Sequence, residues 1–170
     1  GDSSYPCAQA VAQAEAGAEV LDVNAGLPGI DEPATLEQLV RDLQAVTDLP
    51  LQLDSSNPDA LSHALRIYNG KPIVNSVNGE QSTLDMILPL CKKYGAAVVG
   101  LALDEHGIPA TADGRFTIAQ RIVKAANAVG IPNEDIYIDC LTLTASAQQE
   151  GAVQTLEALT RCKKELGVRT

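Results

Sequence analysis

Leu51-Gln52-Leu53-Asp54-Ser55-Ser56-Asn57-Pro58 decides the fold. Its first half has the length and composition of a buried strand. That strand closes on a carboxylate, which a plain core strand would not carry. The second half places Asn before Pro, an N-cap followed by proline at the first helical position. A strand that leads straight into a helix is one β/α unit.

The same reading extends in both directions. Val20-Leu21-Asp22-Val23-Asn24, Pro72-Ile73-Val74-Asn75-Ser76, Val98-Val99-Gly100-Leu101-Ala102-Leu103-Asp104 and Ile136-Tyr137-Ile138-Asp139 are also apolar runs with polar ends. Helical periodicity fills the intervals. Leu36, Leu39, Val40, Leu43 and Val46 fall on one face, while Glu37, Gln38, Arg41 and Asp42 face away. Further helices are predicted from Pro6 to Gly17, from Asn57 to Tyr68, from Ser82 to Tyr94 with a kink at Pro89, from Gly114 to Val129 and from Gln148 to Leu166.

Unbroken β-α alternation implies a parallel sheet with right-handed crossovers. A doubly wound nucleotide binder would carry a glycine-rich turn after its first strand, and neither GxGxxG nor GxxxxGK[ST] occurs. The expected class is therefore α/β, built of parallel β/α units of a (β/α)8 TIM barrel. A closed barrel takes about 250 residues. The 170 residues, with about five strands, are expected to form one incomplete barrel domain spanning 1–170, with its first and last strands missing.

Composition narrows the class of partner. The chain is 45% hydrophobic with no Trp and one Phe, so its core must come from Leu, Ile, Val and Ala. A net charge of −10 argues against nucleic acid and anionic membranes as partners. No apolar run reaches the ~18 residues of a membrane span, and the start lacks signal-peptide character. Cys7, Cys91, Cys140 and Cys162 lie far apart with no CxxC, which speaks against a disulfide framework or a metal site and for reduced thiols in the cytoplasm. Cys140 reads as a small buried hydrophobe or as a neighbour of the site.

In a parallel α/β arrangement the polar strand ends gather at one rim, the rim where such folds bind ligands. Asp54, Asn75 and Asp139 end three different apolar strands and are the leading binding candidates. Carboxylates there need partners, and a flat ring with several N–H donors supplies them. A pterin or guanine-like ring has such an edge. A carboxamide such as Asn75 both donates and accepts. Asp22 and Asn24, two apart on a strand, point the same way and read as ligand contacts or as supports behind them. Asn57 reads as a helix cap, Asn78-Gly79 as a turn or a ligand contact, and Asp104 as a loop carboxylate. His63 falls inside a helix and His106 in a loop, and neither has Cys or His at metal-ligand spacing. No GxSxG elbow is present, and no catalytic nucleophile is assigned.

Four segments in this order carry a family resemblance: Leu21-Asp22-Val23-Asn24-Ala25-Gly26, Leu53-Asp54-Ser55-Ser56-Asn57-Pro58, Val74-Asn75-Ser76-Val77-Asn78-Gly79-Glu80 and Tyr137-Ile138-Asp139. Gly107 to Thr111 and Leu141 to Gln149 reinforce it. The chain resembles the pterin-binding domain of methyltetrahydrofolate:corrinoid methyltransferases, including the folate domain of cobalamin-dependent methionine synthase. The resemblance implies a barrel that holds methyltetrahydrofolate at its C-terminal rim, with Asp54, Asn75 and Asp139 on the pterin ring. It also implies methyl transfer to the Co(I) of a corrinoid carried by a partner domain or protein. Dihydropteroate synthase, with a related barrel, is an alternative. Asp139-Cys140-Leu141 stands where that family has Asp-Pro-Gly. A non-catalytic module that binds folate or docks a corrinoid protein is a third reading. The open sheet edges are expected to favour a homodimer.

Overall fold

The computed structural model describes residues 3–142 and 149–170. The strands form one five-stranded sheet in the order β1-β2-β3-β4-β5, with β1 Leu21–Asn24, β2 Leu51–Asp54, β3 Ile73–Val77, β4 Ala97–Leu101 and β5 Ile136–Asp139. Strand order follows chain order, as β/α barrel units require. The sheet is an incomplete barrel of parallel strands. The chain divides into two compact units, residues 1–75 with 94–96, and residues 76–93 with 97–170.

The first unit holds α1 (Ser4–Glu15), β1, α2 (Glu32–Gln44), β2, α3 (Pro58–Ile67) and the start of β3. β1 pairs with β2 in register, Leu21 opposite Leu51 and Asn24 opposite Asp54. β2 pairs with β3, Asp54 opposite Asn75. Period-two alternation sorts the side chains into two faces. Leu21, Val23, Leu51, Leu53 and Val74 are buried, whereas Asp22, Asn24, Gln52, Asp54 and Asn75 are half-buried or exposed. Leu36 and Val40 of α2 and Leu61 of α3 are fully buried. Each such side chain contributes about 1.5–3 kcal/mol. α3 starts where the sequence places its cap, α2 starts at a cap of the same kind, and α1 starts at Ser4, two residues before the expected Pro6. Asp31 accepts from the Ala34 N–H at 3.2 Å, with Pro33 two residues on, and Asn57 accepts from the Asp59 and Ala60 N–H groups, with Pro58 next.

The second unit holds α4 (Gln81–Tyr94, its last residue falling in the first unit), β4, α5 (Ala112–Ala128), β5 and α6 (Gln149–Arg161). β4 and β5 pair in register, Val98 with Ile136 and Leu101 with Asp139. Ile122, Ile136 and Ile138 are fully buried. Gly100 is a glycine for want of room, since a Cβ there would lie 2.8 Å from Ile122 Cγ2 and 3.1 Å from Ile138 Cδ1. A π-helical turn, Cys162–Leu166, ends α6, and Gly167 closes it in the left-handed conformation at φ 65°. Arg169 then lies beside β5, exchanging backbone hydrogen bonds with Ile136 and Ile138.

One expected strand is too long. The run to Asp104 leaves the ladder at Leu101, because Leu103 N–H turns back to the Leu101 carbonyl at 2.8 Å. Asp104 lies in the turn beyond and accepts from the His106 N–H at 3.0 Å. Residues 143–148, which carry part of the Leu141 to Gln149 run and the predicted start of the last helix, fall outside the described residues.

Candidate functional site

In the first unit Asn24, Asp54 and Asn75 occupy one register row across β1, β2 and β3, at or near the strands' C-terminal ends. Asn24 Nδ2 donates to Asp54 Oδ2 at 2.9 Å, and Asn24 Oδ1 accepts from the Gly26 N–H at 2.8 Å. A backbone N–H only donates, so it fixes which end of the Asn24 amide is oxygen and turns the amide donor toward Asp54. One carboxylate oxygen of Asp54 is thus held, and the other, Oδ1, has no hydrogen-bond partner among the described residues. Asp22 belongs to the row two residues back toward the strand starts, where its Oδ1 accepts from Gln52 Nε2 at 2.6 Å.

Further hydrogen bonds brace this row from behind Asp54. Ser55, directly after Asp54, is buried. Its N–H donates to the Asn75 carbonyl at 3.0 Å, which ties the end of β2 to β3. Its hydroxyl donates to Glu32 Oε1 at 2.5 Å and accepts from the Asn57 N–H at 3.0 Å. Asn57 Nδ2 reaches Glu32 Oε2 at 3.4 Å. Sequence reading finds neither Ser55 nor Glu32. Glu32 looks like an acid placed for the helix dipole in the first turn of α2, and no spacing rule links it to a serine one β/α unit later.

Asp139 belongs to the second unit, at the C-terminal end of β5, and is exposed. Its Oδ1 accepts from the Leu141 N–H at 2.7 Å. Its backbone carbonyl accepts from Ala102 N–H at 2.9 Å, so the strand end is anchored to the β4 side. Cys140 is buried beside Cys162. The hydrogen bond from Cys162 holds the Cys140 thiol below its ordinary value, and the same contact raises that of Cys162. All four cysteines are free.

The remaining candidates sit in local hydrogen-bonded roles. Asn57 caps α3, and Asn78 Oδ1 accepts from the Glu80 N–H at 2.9 Å as a turn former. His63 is exposed on α3 with its ring 3.3 Å from Glu37, and His106 is an exposed loop residue 3.9 Å from Glu105. Among the described residues no helix is long and apolar enough to cross a membrane, and no group of three His, Cys, Asp or Glu side chains is disposed to hold a metal ion.

Comparison with known proteins gives the same picture at the level of family. The family model described as "Pterin binding enzyme" matches residues 2–170. Methionine synthase of Mycobacterium leprae (strain TN) is 32% identical over 162 residues, which cover 89% of this chain and 13% of that protein. Methionine synthase of Mycobacterium tuberculosis (strain ATCC 25618 / H37Rv) is 33% identical, covering 89% and 14%. The methylcorrinoid:tetrahydrofolate methyltransferase of Eubacterium limosum is 30% identical over 149 residues, covering 86% and 55%. The chain therefore spans a small part of the methionine synthases and about half of the third relative. Among solved structures, the dihydropteroate synthase from Xanthomonas albilineans in complex with 7,8-dihydropteroate superposes with a TM-score of 0.69 at 20% identity, covering 96% of this chain and 61% of that one. At that identity the likeness is one of fold.

Proposed function

Because this chain belongs to the pterin binding enzyme family, we propose that it grips the pterin head of methyltetrahydrofolate with Asp54, Asn75 and Asp139. Asn24 and Asp22 stand behind them. The chain presents the methyl group to a corrinoid carried by a partner domain or protein. The observation that carries the reading is the row Asn24–Asp54–Asn75, in which the Asn24 amide occupies one Asp54 oxygen and leaves the other to accept.

The donor set fits the ligand. A pterin presents an exocyclic amine and ring N–H groups beside a carbonyl. Asp54 Oδ1 accepts from the first kind of group, and the half-buried Asn75 carboxamide serves both kinds. Asp139, with Oδ1 already tied to the Leu141 N–H, offers its second oxygen in the same manner. Bound corrinoid supplies the methyl-accepting centre, so the chain needs no nucleophile of its own. The task left to these residues is to hold the ring in one orientation, so that the methyl-bearing nitrogen meets its acceptor in line.

Condensation chemistry of the dihydropteroate synthase kind is the rival reading. The relatives at 30% identity or more named above are two methionine synthases and a methylcorrinoid:tetrahydrofolate methyltransferase, whereas the dihydropteroate synthase likeness rests on fold at 20% identity. The order Asp139-Cys140-Leu141 also favours methyl transfer.

Calorimetric titration with 5-methyltetrahydrofolate tests the proposal. Asp54→Ala, Asn75→Ala and Asp139→Ala are each expected to weaken binding about tenfold or more, the loss of one charged or bidentate hydrogen bond. Absence of binding by the unaltered chain, or unchanged affinity in all three variants, overturns it. Methyl transfer to free cob(I)alamin, compared with condensation of p-aminobenzoate with a pterin pyrophosphate, separates the two chemistries.

A further inference from the structure

Around Arg115, three local preferences are broken at once. Arg115 is 2% exposed. Its Nε donates to the Pro109 carbonyl at 2.8 Å, and its Nη1 donates to the carbonyls of Cys140 and Leu141 at 3.0 and 3.1 Å and to the buried Thr155 hydroxyl. None of these acceptors is a carboxylate, and among the described residues no salt bridge reaches this guanidinium. A buried cation without a counter-ion is costly. It also lies at the end of the opening turn of α5, where the helix dipole disfavours positive charge. Leu141, whose carbonyl it grips, is the one non-glycine residue with positive φ among the described residues, at 59°. Leucine reaches that region only under constraint.

These costs meet at one product. The left-handed turn at Leu141 aims its N–H at Asp139 Oδ1, 2.7 Å away. Two adjacent carbonyls pulled toward one Nη1 fix the peptide planes on both sides of the Leu141 Cα, and with them the direction of that N–H. Local rules broken together at a strand end mark a constraint imposed for a site.

We infer that Arg115 is the positioning residue for Asp139: through the carbonyls of Cys140 and Leu141 it locks the turn that holds one oxygen of Asp139 and leaves the other presented to a ligand N–H. The inference rests on the reading that Asp139 contacts the pterin. Arg115 itself touches no substrate. Thr155 shares the task, since its hydroxyl meets Nη1 and donates to the Gly151 carbonyl at 3.0 Å.

A double-mutant cycle on the full chain tests this, with 5-methyltetrahydrofolate as the probe. Arg115→Met is expected to weaken binding about tenfold in the unaltered background and by less than about twofold in Asp139→Asn, because a misaimed carboxylate is lost only once. A structural role alone would lower affinity by the same factor in both backgrounds, and that result overturns the inference. Leu141→Pro removes the N–H and forbids positive φ while leaving Arg115 itself and its contacts with Pro109 and Thr155 in place. It must reproduce the same non-additivity, which keeps the test decisive if Arg115→Met does not fold. Amide exchange gives a readout without ligand: the Leu141 N–H is expected to exchange at least about tenfold faster in Arg115→Met or, should that variant not fold, in Thr155→Val. Unchanged protection overturns the inference even if the chain binds no folate. Absence of folate binding with faster exchange sinks only the proposed function.

Discussion

Asn24 and Asp54, thirty residues apart in sequence, meet across 2.9 Å at the ends of adjacent parallel strands, with the amide donor of one on the carboxylate of the other. The Gly26 N–H on Asn24 Oδ1 sets that direction, so the β1–α2 loop decides how Asp54 faces its surroundings.

Asn24→Ala is therefore expected to weaken 5-methyltetrahydrofolate binding about tenfold, since a charged acceptor loses the donor that orients it. The pair is exposed, so the cost in folding stability stays near or below about 0.5 kcal/mol. Titration beside urea denaturation checks both halves. A loss of stability matching the loss of affinity would mean that the pair serves the fold and not the ligand.

Gly100→Ala probes packing in the second unit. The added methyl would meet Ile122 Cγ2 at 2.8 Å, and that β-branched methyl group cannot swing aside freely. Destabilisation of about 1–3 kcal/mol is expected from overpacking. An unchanged urea midpoint would show that α5 can withdraw from β4 without penalty.

Cys91 makes stability depend on alkaline pH. Burial in α4 pushes its thiol from an ordinary 9.0 up to about 12. A group whose value is raised in the folded state contributes fully below its unfolded value, and the contribution is lost as pH rises through the folded value. Stability should therefore fall from about pH 9 to about pH 12. Tyr68, raised by burial, acts with the same sign. Thermal melting across that range is expected to show a shallower decline in Cys91→Ala than in the unaltered chain. Equal slopes would place the titrating group elsewhere.

Much of the fold was legible because it rests on local rules. The five strands follow from apolar runs of strand length, and the start of α3 follows from Asn57 with Pro58 beside it. The fourth run shows where local reading stops. Nothing in Val98 to Asp104 announces that Leu103 folds back on Leu101, because that turn is a backbone hydrogen bond and not a side-chain pattern. The candidate residues were legible through their contrast with the apolar runs they end. Their order was not. Asp22 and Asn24 look equivalent in sequence, yet pairing with β2 gives one to Gln52 and the other to Asp54.

The sequence by itself determined the parallel β/α class and which strand ends are polar, since period, capping and composition act over a few residues. Only the tertiary structure decided which partner each polar group keeps. Glu32 beneath Ser55, and Arg115 against the carbonyls beyond Asp139, are contacts between segments far apart in the chain. Strand register and helix packing create such contacts, and neither can be read from the residues on one side alone.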